Sequence, residues 1–294
     1  MPGGLKGIFY EKNKHILSPK PWSWLRIHRI LLTHKRVTGI CEKLIADYFS
    51  SDANKPAIKP LKDLEGRKII WQYWGQGYDN VPPIVRECLD SVEEHRGGYD
   101  IIRLTDETVG EYISIPEEIV TRCKNSSYAH YSDLLRLALL ATYGGLWLDS
   151  TILMTGCFPQ EYESGDFFVY QRDASEPHKE YWENVYAYYY GWHKGFRVNM
   201  LSSVFFAKKG STVVNDLYGL MLHYWSSNTS LPDYFFLQIL FDVLINGRRK
   251  GLNCPVVSDC RPHFLQQLRG DPAFSLATEE EILRSVPLHK MTYK

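Results

Sequence analysis

Residues 134–141 are apolar on nearly every side except at Arg136. Gly144-Gly145 then interrupts the chain, and Leu146-Trp147-Leu148 follows as a short unbroken apolar run ending at Asp149. A helix apolar all round belongs in an interior, and a short continuous apolar run belongs to a strand covered on both faces. The glycine pair between them suits a helix stop with a left-handed residue. Upstream, residues 68–74 and 99–104 read as strands. Pro82-Pro83 opens a helix to about residue 95, Thr105-Asp106 caps a short helix toward Ile113, and another helix covers about 117–124. Downstream, residues 167–171 and 201–208 read as strands and 213–225, 233–245 and 279–284 as helices, ahead of a basic tail at 289–294. Strands alternating with helices predict an α/β fold, a single Rossmann-type domain with a mostly parallel central sheet covered on both sides.

Residues 22–49 also have a helical pattern, but a basic one. Residues 1–43 carry nine Lys/Arg against two acids, so the first 43 residues hold +7 and the rest of the 294-residue chain −7. Residues 51–60 are polar with two prolines and read as a linker. The expected organisation is a basic helical N-terminal extension and linker over 1–60 and a catalytic-sized domain over 61–294. Lys20, Trp22, Trp24, Arg26, Arg29, Lys35 and Arg36 mix cations with aromatic rings, as an interfacial helix on anionic lipid does; a helix packed against the domain is the alternative. A basic region this short on an acidic body is a poor fit to nucleic acid. No run of 18 apolar residues would span a bilayer and no signal-peptide core is seen. The six cysteines are scattered without a Cys-x-x-Cys pair, which disfavours a zinc site or disulfide framework and suits a reducing cytoplasm. The absence of Gly-x-Gly-x-x-Gly and Walker-type loops disfavours dinucleotide dehydrogenases and P-loop enzymes.

Candidate chemistry follows from charges in apolar places. Asp133 and Arg136, three apart, share a helix face. A lone buried charge costs several kcal/mol, so they need each other or a ligand. Asp149 closes an apolar strand, and α/β folds bind ligands at the carboxyl ends of strands.

Four segments occur in order: Ile69-Ile70-Trp71-Gln72-Tyr73-Trp74-Gly75-Gln76-Gly77, Ala129-His130-Tyr131-Ser132-Asp133-Leu134-Leu135-Arg136, Gly144-Gly145-Leu146-Trp147-Leu148-Asp149, and Leu288-His289-Lys290-Met291-Thr292-Tyr293-Lys294. Together they resemble the bacterial capsular polysaccharide synthesis glycosyltransferases, themselves similar to the wider D-x-D sugar transferases. The resemblance covers about residues 66–294. It implies a GT-A fold, a nucleotide-sugar donor, a sugar acceptor and a divalent metal, Mn²⁺ or Mg²⁺.

Carried over residue by residue, the resemblance implies that Trp74 stacks on the nucleobase, where a core tryptophan is the alternative, while Trp71 is core. It implies that Asp133 holds sugar hydroxyls and Arg136 the diphosphate or sugar, an intrahelical ion pair being the alternative. Asp149 aligns with the first carboxylate of D-x-D, which serves to hold a cation against the departing diphosphate; Thr151 stands where the second carboxylate would be, and Ser150 lies between them on the donor side. His289 resembles the C-terminal histidine that completes the metal shell with Asp149, and Lys290 and Lys294 meet the phosphates, unless the tail is frayed and solvated. Asn199, Ser202 and Ser203 fall where relatives line the sugar or acceptor side, or are ordinary strand polar groups. The aromatic run from Tyr181-Trp182 to Tyr188-Tyr189-Tyr190 and Trp192 is either an acceptor platform or core.

The implied function is transfer of a hexose from a UDP-sugar to a hydroxyl of a growing, lipid-linked capsular or surface glycan, with retention, by a cytoplasmic enzyme peripheral to the inner membrane face. Sugar-phosphate transfer and non-catalytic sugar-nucleotide binding are the rival readings.

Overall fold

The structure, a computed structural model, describes residues 21–50 and 59–293. Lys20, the side chain of Trp22, most of the expected linker and Lys294 lie outside the described residues.

A five-stranded sheet runs in the order β2-β1-β3-β6-β5. Its members are β1 (Ile69–Tyr73), β2 (Asp100–Leu104), β3 (Gly145–Leu148), β5 (Phe167–Gln171) and β6 (Met200–Ala207). β1 is parallel to both β2 and β3, whereas β6 is antiparallel to β3 and to β5. Four of the five strands therefore share one direction, and the fold is mixed α/β with a mostly parallel sheet. The inner strands β1, β3 and β6 have no polar face: almost every residue is buried, as their continuous apolar runs demand.

The helices are α1 (Pro21–Ser50), α2 (Pro83–His95), α3 (Glu117–Ser126), α4 (Tyr128–Tyr143), α5 (Lys179–Val185), α6 (Thr212–Ser227), α7 (Phe236–Asn246), α8 (Phe264–Gly270) and α9 (Glu279–Ser285). Helix α4 lies against β3 and β6, α7 against β6, and α6 packs on α4. Helix α1 packs along α6 and α7; its Ile30, Val37, Cys41, Leu44 and Ile45 join the main apolar core. The basic helix thus buries one face in the domain and leaves Trp24 (65% exposed), Leu25 and Leu32 facing outward.

The chain beyond Thr105 forms only a 3₁₀ turn at Val109–Glu111, not an α-helix. Residues 289–294, read as a basic tail, instead begin within β7 (Leu288–Lys290), which pairs antiparallel with β4 (Ile152–Met154). Helix α2 packs on β4 and α8 on β7. Short helices α5 and α8 have no counterpart in the sequence reading.

Gly144 and Gly145 are required by geometry. Both have positive φ, 72° and 103°. A Cβ on Gly144 would lie 2.5 Å from the Lys209 amide nitrogen, and one on Gly145 2.5 Å from the Ile69 carbonyl oxygen. Only glycine lets α4 stop and β3 begin against β1 without a gap.

Candidate active site

The parallel register of β1 and β3 pairs Trp71 with Trp147. Trp74 and Asp149 therefore leave the sheet along one edge. Trp71 is buried, its indole nitrogen donating to the Gly144 carbonyl at 2.9 Å, and belongs to the core. Asp149 is anchored at its backbone, where its amide donates to the Ser203 carbonyl at 2.9 Å and its carbonyl accepts from the Ile152 amide at 2.8 Å.

Helix α4 delivers the remaining charges. Ser127 caps it by accepting from the Ala129 amide at 3.1 Å. Arg136, 3% exposed, points one guanidinium nitrogen at Asp133 Oδ1 and the other at Asp149 Oδ1, the latter at 2.9 Å. The Trp147 indole donates to that same Asp149 oxygen at 2.8 Å, and the guanidinium lies 5.0 Å from the Trp147 ring centroid. One buried cation therefore serves two carboxylates, and Trp147, read from its apolar neighbours as core alone, also orients one of them.

The second cation comes from β7. The Lys290 ammonium donates to the Thr151 hydroxyl, lies 3.3 Å from the Met291 carbonyl, and approaches Asp149 Oδ2 at 4.0 Å. About a quarter of the Asp149 and Lys290 side chains remains exposed, so the cluster opens to solvent on their side. Half-buried Trp74 meets Tyr293 edge-on at 5.4 Å, and exposed Tyr234 lies within electrostatic reach of Asp133 and Asp149. Neither tyrosine was distinguishable in the sequence from ordinary surface aromatics. Ser150 is buried, its hydroxyl donating to the Tyr73 carbonyl at 3.1 Å, and so ties the Asp149 turn to β1.

The two carboxylates are electrostatically unlike. Burial outweighs the pull of Arg136 on Asp133 and pushes its carboxyl up to about 6. Asp149 is also desolvated, but Arg136, Lys290 and donated hydrogen bonds together hold it well below the usual carboxylate range.

His289 does not join Asp149. Lys290 and His289 point to opposite sides of β7, and His289 is fully buried with Nε2 3.0 Å from the Thr155 hydroxyl. Burial, then Arg269, lowers its imidazole to about 4. Of Asn199, just before β6, and Ser202 and Ser203 within it, Ser203 adjoins Asp149. Ser202 accepts from Gln238 of α7 at 3.1 Å, and the Asn199 amide donates to Asp242 of α7 at 2.9 Å. In the aromatic run, Trp182 and Tyr190 form a small core with Cys260, so this part is packing rather than surface.

A divalent ion is implied by the family resemblance, and the residues do not fit one. Asp149 Oδ1 already accepts two donors, Oδ2 faces an ammonium, and Thr151 accepts from that ammonium. Among the described residues, no three His, Cys, Asp or Glu side chains are grouped to hold a metal. Hard divalent ions demand several free oxygen ligands.

The capsular polysaccharide synthesis protein family matches residues 23–294, nearly the whole chain and all of this cluster. The chain belongs to that family. The match takes in all of helix α1 but its first two residues. Curated fungal proteins are also similar: glycosyltransferase afumC of Aspergillus fumigatus (32% identity over 107 residues, 33% of this chain and 27% of that protein) and O-glycosyltransferase braB of Annulohypoxylon truncatum (29% over 94 residues, 28% and 22%). O-glycosyltransferase PaGT of Phomopsis amygdali is 29% identical over 100 residues, 30% of this chain and 25% of its own length. The matched segment spans about a quarter of these relatives. Among solved structures, PaToxG glycosyltransferase superposes with a TM-score of 0.36 at 12% identity, over 74% of this chain and 79% of that one.

Proposed function

We propose that this capsular polysaccharide synthesis protein is a GT-A-type glycosyltransferase that moves a hexosyl group from a UDP-sugar to a hydroxyl of a growing, lipid-linked surface glycan, with retention. The observation carrying this reading is the convergence of Arg136 and Lys290 on Asp149 at the carboxyl edge of the sheet, open to solvent and on the same edge as Trp74. A diphosphate leaving group gathers negative charge as the glycosidic bond breaks, and preorganised cations there stabilise it. Trp74 supplies a flat face for a base, a contact worth about 1–3 kcal/mol. Asp133 faces the sugar hydroxyls, and Ser203 lies on the acceptor side. The relatives named as glycosyltransferases support the same chemistry.

The outward face of α1 is the membrane contact in this reading. Trp24, Leu25 and Leu32 are exposed on the same helix as Arg29, Lys35 and Arg36, a combination that favours an anionic inner leaflet.

The test is a panel of sugar nucleotides incubated with the purified protein. Release of UDP, accompanied by a product whose anomeric proton coupling matches the donor's, is the expected result. Release of UMP with phosphate kept in the product would instead establish sugar-phosphate transfer. Binding without turnover on any acceptor would establish a non-catalytic role.

A further inference from the structure

The D-x-D resemblance calls for a divalent ion at Asp149, yet an ammonium group stands there. We propose that Lys290 takes the ion's place, so that this chain binds and departs from its nucleoside diphosphate without a divalent metal. The inference rests on the glycosyl-transfer reading above and specifies how the leaving group is neutralised.

Lys290 is held as a bound cation would be. Its ammonium has the Thr151 hydroxyl, the Met291 carbonyl and Asp149 Oδ2 around it. These lie just beyond one end of the β4–β7 pair, because β7 sets Lys290 directly across from Ile152, next to Thr151. The Met291 amide donates to the Thr151 carbonyl at 2.9 Å, which fixes the register at this end. Threonine at 151 is what allows the arrangement. A hydroxyl accepts one hydrogen bond from the ammonium, whereas a carboxylate there would add a second negative charge and recreate the ligand pair of a divalent-ion site.

Charge balance points the same way. Asp133, Asp149, Arg136 and Lys290 sum to zero, so the cluster has no net negative charge to draw in a doubly charged cation. Its two cations are arranged in depth. Arg136 is sealed beneath the carboxylates, while Lys290 keeps part of its side chain open to solvent. An incoming diphosphate meets Lys290 first.

In the transfer step, the bond between the anomeric carbon and the diphosphate oxygen breaks, and its electron pair stays on that oxygen. The acceptor hydroxyl oxygen bonds to the anomeric carbon, and its proton passes to the departing diphosphate. Lys290 keeps its three protons throughout and donates hydrogen bonds to the phosphate oxygens.

The experiment is calorimetric titration of the full chain with UDP, in EDTA and then in Mn²⁺, with the free Mn²⁺ spin-resonance signal recorded in parallel. The expected result is the same UDP affinity in both buffers, with no more Mn²⁺ removed from solution than UDP alone removes. Lys290→Ala weakens UDP binding about tenfold or more, as loss of a charged hydrogen bond does, while Lys290→Arg retains most of it. The double variant Thr151→Asp/Lys290→Ala recovers binding only when Mn²⁺ is present. If Lys290→Ala does not fold by circular dichroism, the wild-type comparison and Lys290→Arg decide the matter. UDP binding that requires Mn²⁺ in the wild type overturns the inference and leaves the glycosyl-transfer reading intact. Failure to bind UDP, GDP or ADP with or without metal overturns both.

Discussion

Arg136 and Asp149 are thirteen residues apart and meet at 2.9 Å, one from inside a buried helix and the other from the end of a buried strand. The turn at Gly144-Gly145 makes this possible, because it returns the chain into the sheet within two residues. Removing the guanidinium leaves Asp133 buried without its cation and Asp149 with Lys290 alone, and breaking a buried pair costs about 3–5 kcal/mol. Arg136→Ala is expected to lose that amount in urea unfolding. Asp133→Asn/Arg136→Ala should lose less than Arg136→Ala alone, since one uncompensated charge has gone.

Asp149→Asn keeps the size of the side chain and one oxygen that can still accept from Trp147 and Arg136. The chain should still fold, with some loss of stability because the charge held by Arg136 and Lys290 is gone, and sugar transfer should fall about a hundredfold or more, the scale seen when one preorganised electrostatic group is removed. Cooperative melting curves together with UDP release per minute provide the check. Near-wild-type turnover would remove Asp149 from the chemistry.

The elevated Asp133 carboxyl gives the site a pH dependence. Below about 6 it takes up a proton and no longer offers Arg136 a negative partner, so activity should rise with pH through about 6 and then level off. Its stability effect runs the other way. The folded protein holds this proton more tightly than the unfolded chain, so between the ordinary carboxylate value and about 6 the contribution of Asp133 falls as pH rises. Asp133→Asn should abolish both slopes, measured as initial rate and as unfolding free energy against pH.

His289 is a separate acid sensor. Its imidazole is lowered to about 4, so the folded form stays neutral while the unfolded chain binds a proton below the ordinary 6.5. The stability it supplies is complete above 6.5 and is lost as pH falls toward 4, by up to about 3 kcal/mol. His289→Asn should flatten urea midpoints over that range, while wild type declines.

Gly145→Ala tests the turn. Its Cβ would meet the Ile69 carbonyl at 2.5 Å with φ at 103°, and strained backbone of that kind costs about 1–3 kcal/mol before the clash is counted. A variant that is poorly soluble, or melts well below wild type, is the expected outcome. An unchanged melting temperature would show that β1 and β3 can separate there at no cost.

The sequence made α4, the glycine turn and β3 legible because each depends on neighbours along the chain. Apolar residues at every position of 134–141 except Arg136 leave no solvent face, and Asp149 necessarily follows the strand. That Lys290 rather than His289 approaches Asp149 was not legible. Adjacent residues on a strand face opposite ways, so which one meets Asp149 depends on the register of β7 against β4, and nothing local specifies it. The packing of α1 was half legible: its cations and rings were plain, but which face α6 and α7 would cover was not. Trp147 was read correctly as buried, and its hydrogen bond to Asp149 was hidden because an indole in an apolar strand has the same pattern with or without a partner.

The Thr151–Lys290 contact joins positions 139 residues apart. Bringing partners so far apart in sequence together carries a loop-closure cost that only the rest of the fold offsets. Competence for chemistry is therefore a property of the finished molecule rather than of any one segment. An exposed segment between the two partners, such as the turn following α7, is a place where a single proteolytic nick would leave Thr151 and Lys290 on separate chains.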